Sequence, residues 1–259
     1  SGKVFLDKNG NGIQDRSEHG IKAVPVSNGR DVVLTDKDGN FSISVADGES
    51  LFPIIPSGYT SSSGDIIRSS DFLFKTRQSK DKVDFALKKE KQPEHFTLGA
   101  IGDIQMGNPQ ELDYANQTII PELAGRKDIQ LAVWLGDLVN NRLELFEDVR
   151  EMIRCTEIPS WVLPGNHDRI TNGHTLQDSL FNFGASAYAF NYGNVHFIIL
   201  NNVAPDSKRG YKARISDRQM TFIKNDLSYV PKDRFVVFCQ HIPLVHTENI
   251  EDLKTLLNG

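Results

Sequence analysis

The chain has 259 residues, 39% of them hydrophobic, and its 29 basic and 34 acidic side chains give a formal net charge of −5. That balance, with a pI near 5.8, gives no electrostatic case for nucleic acid or an anionic membrane as a bulk partner. No apolar run approaches the ~20 residues of a membrane-spanning helix, and the length suits two ordinary cores.

The first ninety residues have a β character. Residues 3–6 read as a strand, and the D-x-[DN]-x-[DN]-G-x₅-E pattern of a calcium loop follows at once. In that loop Asp7, Asn9 and Asn11 supply side-chain oxygens, Ile13 a carbonyl, Asp15 a direct or water-mediated contact, and Glu18 two oxygens. Gly12 makes the sharp turn. The other reading is a polar Asn-Gly turn without metal. The flanks are not helical, so the loop belongs to a β-module rather than to a helix pair. Asn28-Gly29 is a hairpin signal, Asp38-Gly39 marks a second turn, and Phe41, Ile43 and Val45 alternate with serines as a half-buried strand does. Residues 72–76 and 83–87 supply further strands, 57–65 reads as a flexible loop, and 88–93 as a linker. These elements predict a small β-sandwich over 1–91 and a second domain over 92–259.

The second domain alternates strands with helices, which predicts an α/β architecture. Residues 142–155 form an amphipathic helix, and Ser216-Asp217-Arg218-Gln219 is a capping box opening a helix to about Leu227. Residues 247–258 read as one more helix. Four apolar runs, 96–101, 131–135, 161–164 and 235–239, read as buried strands, and each is followed by a polar phrase. The phrases are Gly102-Asp103-Ile104-Gln105, Gly136-Asp137-Leu138-Val139-Asn140, Gly165-Asn166-His167-Asp168 and Gln240-His241-Ile242-Pro243. Oxygen and nitrogen donors just past four strand ends make a site for two divalent cations. Cys155 and Cys239, the only cysteines, read as buried free thiols, and His196, His95, His174 and His246 as structural.

In that order the four phrases resemble the calcineurin-like metallophosphoesterase family, and the likeness runs from about Glu94 onward. It implies a four-layer sandwich of two mixed sheets flanked by helices, C-terminally incomplete, with metals at one end. It implies Asp103 and Gln105 on a first metal, Asp137 bridging, and Asn166 and His241 on the second, the ions being Mn, Fe, Zn or Mg. Gln105 stands where the commoner pattern has His, which shifts preference toward oxygen-loving Mn²⁺ or Mg²⁺. His167 becomes the acid and charge stabiliser, with Asp168 holding its ring, and Arg169 and Asn140 or Asn141 stand near the phosphate. The activity implied is hydrolysis of a phosphomonoester or phosphodiester by a metal-activated water or hydroxide. The family's closing Gly-His-x-His is absent, and a chain stopping before the last strand is the expected reason.

Residues 2–7 through 35–41 resemble prealbumin-like modules of bacterial surface and secreted proteins, and such a module precedes the catalytic domain in a secreted branch of the family. The expected location is periplasmic or extracellular. The rival reading is a calcium-dependent surface or adhesion module with an inactive phosphoesterase-like half. The expected partner is a small phosphate ester. Residues 170–178, and 203–214 with its four basic side chains, read either as walls of the site or, for the basic cluster, as a solvated face.

Overall fold

The structure, a computed structural model, describes residues 1–46, 49–71, 73–74, 82–168 and 183–258. Residues 1–89 fold into two four-stranded sheets. One has the order β4(Asn40–Phe41), β1(Gly2–Leu6), β8(Val83–Lys89), β6(Tyr59–Ser61), and the other β3(Val32–Leu34), β2(Pro25–Ser27), β5(Ser50–Pro53), β7(Leu73–Phe74). Val83, Phe85 and Leu87 are buried while Asp84 is exposed, the period of two that faces one side of a strand inward. Val4, Val26, Phe41 and Phe85 share the core between the sheets. The strand expected through Phe41, Ile43 and Val45 ends at Phe41, yet Ile43 and Val45 still pack against this core. The stretch 57–65, expected as a loop, contains β6, and Lys88 and Lys89, expected in a linker, finish β8. Of the expected strand 72–76, only 73–74 falls among the described residues.

The second half is a layered α/β structure. Parallel strands β9(Thr97–Ile101), β10(Ile129–Trp134) and β11(Ser160–Val162) form one sheet in the order 11-10-9. The other joins β12(Tyr188–Tyr192), β13(Val195–Ile199) and β16(Phe235–Cys239), with β12 antiparallel and β16 parallel to β13. Strand β10 is apolar on both faces because both are covered. Leu131 and Val133 face the sheet pair, while Ala132 and Trp134 face helices α1(Pro109–Gln117) and α3(Phe146–Arg154). Between the sheets Trp161 stacks on Phe190 at 4.0 Å, and Phe190 on Phe197 at 4.8 Å. Such ring pairs contribute about 0.5–1.5 kcal/mol beyond their burial. The remaining elements are α2(Ile119–Gly125), the ribbon β14(Val203–Asp206)–β15(Gly210–Ala213), α4(Asp217–Leu227) and α5(Ile250–Asn258). Ser216 caps α4 as its sequence predicts, accepting the Gln219 N–H at 3.2 Å. Residues 142–155 give a short 3₁₀ turn and then α3, which begins at Phe146.

The two halves share a core. Val32, Phe52 and Ile54 belong to the same buried cluster as Phe190, Phe197 and Phe222, and the Phe52 and Phe222 rings meet edge to face at 6.0 Å. On the other side the Ser160 N–H donates to the Ile66 carbonyl, and Ile67 lies in the core beneath α3. Gly184 passes so close to this segment that an added Cβ would stand 1.7 Å from the Ser69 carbonyl oxygen. Cys239 is buried, whereas Cys155 is exposed at the end of α3, against the expectation of burial. Its carrier helix turns that position away from the apolar stripe of Phe146, Val149 and Ile153.

Candidate metal centre

The strands β9, β10, β11 and β16 deliver their following loops to the polar phrases at 102–105, 136–140, 165–168 and 240–243. Asp103, Gln105 and Asp137 all have positive φ, at 57°, 42° and 51°. Aspartate tolerates this left-handed region better than most residues, but each such position still costs on the order of 1–3 kcal/mol. The strain is held in place by pairing that continues past the strands: Asp103 N–H to the Gly136 carbonyl at 3.2 Å, and Gln105 N–H to the Asp137 carbonyl at 2.9 Å. Two glycines let the loops cross. A Cβ on Gly136 would stand 2.5 Å from the Gly165 nitrogen, and one on Gly165 would stand 2.1 Å from Asp137 Oδ1.

Asp103, Asp137 and His241 each place a ligand atom within 4.8 Å of the others. Asp137 is buried and Asp103 exposed, so the group opens to solvent on one side. His241 Nδ1 lies 2.8 Å from the Leu135 carbonyl oxygen, which can only accept, so that nitrogen carries the proton. In the neutral ring the lone pair on Nε2 then faces Asn166 Oδ1 at 3.0 Å and Asp137 Oδ1 at 3.4 Å. Three ligand-type atoms, His241 Nε2, Asn166 Oδ1 and Asp137 Oδ1, thus converge on one point. A mixed carboxylate, amide and imidazole donor set of this kind can hold a divalent cation. Gln105 sits at the same place, its Nε2 donating to Asp137 Oδ2 at 3.0 Å.

His167 reaches this group from the side. Its N–H donates to Asp137 Oδ1 at 2.8 Å, and its Nε2 lies 4.0 Å from Asp137 Oδ2. The expected contact between Asp168 and the His167 ring is not made. Asp168 is buried, and its Oδ1 accepts the Leu138 and Val139 N–H groups while Oδ2 accepts that of Gly165. It staples the 136–140 loop to the 165–168 loop instead. Burial pushes its carboxyl up to about 6, against these three backbone donors. The His167 ring is held by Asn141, whose Nδ2 lies 2.9 Å from Nδ1. An amide nitrogen donates, so Nδ1 accepts and the proton sits on Nε2, the nitrogen that faces the carboxylate of Asp137.

Other sequence-predicted residues lie elsewhere. In the calcium-type loop Asp7 accepts the N–H groups of Gly10 at 2.7 Å and Gly12 at 2.8 Å, Glu18 accepts those of Lys8 and Asp15, and Asn9 and Asn11 both donate to Asp15. The Ile13 N–H donates to Asn11 Oδ1. The loop is thus closed by its own hydrogen bonds, and among the described residues the one cluster of three metal-type side chains is that of Asp103, Asp137 and His241. Arg169, His174 and the stretch 170–178 lie outside the described residues. His196 is buried between Asp226 Oδ2 at 2.8 Å and Asn191 Oδ1 at 3.0 Å. Asn202 went unread in the sequence: its side chain accepts the Ile242 N–H and donates to the Ile242 carbonyl, locking the turn that carries His241. Nothing in local sequence marks such a contact, because its partner is backbone.

Donors gathered past the ends of parallel strands of two packed sheets make a candidate divalent-metal site on an α/β scaffold. Residues 96–257 match the calcineurin-like phosphoesterase family, and residues 8–90 match the N-terminal region described for that family. The chain belongs to the calcineurin-like phosphoesterases. It is 27% identical over 122 residues to a 3',5'-cyclic-nucleotide phosphodiesterase of Nostoc sp., a stretch covering 46% of this chain and 43% of that protein. The chain thus matches less than half the length of this curated relative. A dimetal phosphatase from Danio rerio has 14% sequence identity and a TM-score of 0.47, over 62% of this chain and 77% of that one.

Proposed function

We propose that the chain hydrolyses a phosphate ester with the help of divalent metal ions held by Asp103, Gln105, Asp137, Asn166 and His241. The observation that carries this is the convergence of His241 Nε2 on Asn166 Oδ1 at 3.0 Å and Asp137 Oδ1 at 3.4 Å, beside Asp103. When bound, divalent ions supply positive charge to the phosphoryl oxygens and lower the pKa of water. The protein's own part is positional. Asp137, buried with Oδ1 accepting the His167 N–H and Oδ2 the Gln105 Nε2, would hold the ions from the floor of the site. His241 is fixed in its ligating tautomer by the Leu135 carbonyl. His167, with its proton on Nε2, is oriented to donate to a charged phosphoryl oxygen or to the leaving oxygen.

The Nostoc relative is named for cleaving cyclic nucleotides, which supports a phosphodiester as the substrate class. The test is turnover of bis(p-nitrophenyl) phosphate against p-nitrophenyl phosphate, each with Mn²⁺ and with chelator. Faster metal-dependent cleavage of the diester supports the reading. Faster cleavage of the monoester rejects the diester assignment, and no metal-dependent cleavage of either rejects the phosphoesterase assignment.

A further inference from the structure

A recess built jointly by the N-terminal module and the second domain lies past the end of β13, the strand next to the one that leads to His241. Strands β13 and β16 run parallel with Ile199 opposite Cys239, so Asn201 and His241 leave the same sheet edge on strands about 4.8 Å apart. Asn202 ties this edge together through its two bonds to Ile242. Asn201 then lines a cavity of about 430 Å³ whose walls include Asn28, Glu49 and Ser50 of the module, Arg214 just after β15 and Gln219 in the first turn of α4. That volume is within the range of small-molecule sites.

The module's wall is anchored, since Arg218 pairs with Glu49 at 2.7 Å and donates to the Asn28 carbonyl at 2.7 Å. Arg214 is likewise paired, with Asp217 at 3.2 Å. Within the lining Arg218 and Glu49 therefore offset each other, while Arg214 lines the recess and its exposed partner Asp217 does not, and the rest of the wall is amide, hydroxyl and small apolar surface.

We propose that this recess receives the organic group of the ester, a neutral, hydroxyl-bearing moiety of nucleoside or monosaccharide size. The N-terminal module then sets specificity. The inference rests on the phosphoesterase reading and is tested in two arms. In the first, saturation-transfer NMR on the metal-free chain uses adenosine, methyl β-glucoside and glycerol as probes. In the second, Ser186→Trp and Ala204→Phe, both at partly exposed positions lining the recess, fill it with a large side chain. The expected result is binding of adenosine or the glucoside by the native chain, lost in a folded filled variant. A filled variant should also show at least a tenfold larger fall in kcat/KM for the p-nitrophenyl phosphodiester of the moiety that binds than for methyl p-nitrophenyl phosphate. Which of the two probes binds tells nucleoside from sugar. Binding of neither by the native chain, or binding and selectivity unchanged in the variants, would overturn the proposal. If neither diester is hydrolysed with metal, the phosphoesterase reading fails by itself, and the binding arm still judges the recess.

Discussion

Asn141 Nδ2 sits 2.9 Å from Nδ1 of His167, and this contact, rather than the neighbouring carboxylate, sets which ring nitrogen bears the proton. On the proposed reading, replacing His167 by Ala removes the Nε2–H donor to the phosphoryl group, and kcat should fall by about 10²–10⁴-fold. Asn141→Leu leaves the ring present but unoriented, and a loss of about 10–100-fold is expected, as for other partners that orient a site's histidine. Steady-state kinetics of the two variants check this. A wild-type kcat for Asn141→Leu would contradict the assignment.

Gly165 has room for no side chain, because a Cβ there meets Asp137 Oδ1 at 2.1 Å and the Asp137 nitrogen at 2.2 Å. Gly165→Ala must therefore push apart the loops carrying Asp137 and Asn166. Titration calorimetry with Mn²⁺ is expected to show affinity at least tenfold weaker, while the far-UV circular dichroism of the chain stays close to native.

Much of this site is legible in the sequence because its residues are local signals: a polar phrase after each buried strand, ordered along the chain. The parallel sheet beneath them is legible from the same apolar runs. What sequence hides is contact at long range. Asp168 reads as the partner of His167 from adjacency alone, yet backbone N–H groups thirty residues away hold it. The separation into two domains at residues 88–93 follows from charge and proline, but Gln92 accepts N–H groups from both Gly58 and Gly193, and Phe52 lies in the far core. The strand expected through Val45 stops early because alternation reports which side is buried, not whether a neighbouring strand is there to pair.

Phe52 makes the shared core testable. It is fully buried, and its ring packs on Phe222 of α4. Phe52→Ala is expected to cost about 3–5 kcal/mol, the range for emptying an aromatic position in a core. Because the cluster crosses both halves, chemical denaturation should give one transition shifted as a whole. A separate early transition of the module would contradict this.

Asp65 joins the module to α3. Arg154 grips both its oxygens, at 3.1 and 2.6 Å, and Arg150 adds a contact at 3.2 Å. Burial pushes its carboxyl up, but the Arg154 hydrogen bonds, the Ile67 N–H and the guanidinium charge outweigh that and hold it at about 2. The folded value is below the ~3.9 of an unfolded chain, so the stabilisation is complete above that pH and is lost as the pH falls toward 2. The difference in melting temperature between the native chain and Asp65→Asn should be constant from pH 5 to 7 and shrink below pH 4. A difference that grows on acidification would contradict the pairing.

Whether the cluster around Asp137 holds metal for ester hydrolysis is decided on chelator-stripped chain reloaded with Mn²⁺. The native chain is expected to hydrolyse bis(p-nitrophenyl) phosphate only after reloading, and Asp137→Asn to remain inactive at the same Mn²⁺ concentration. Hydrolysis that persists in chelator, or that Asp137→Asn leaves unchanged, would contradict that role of the cluster.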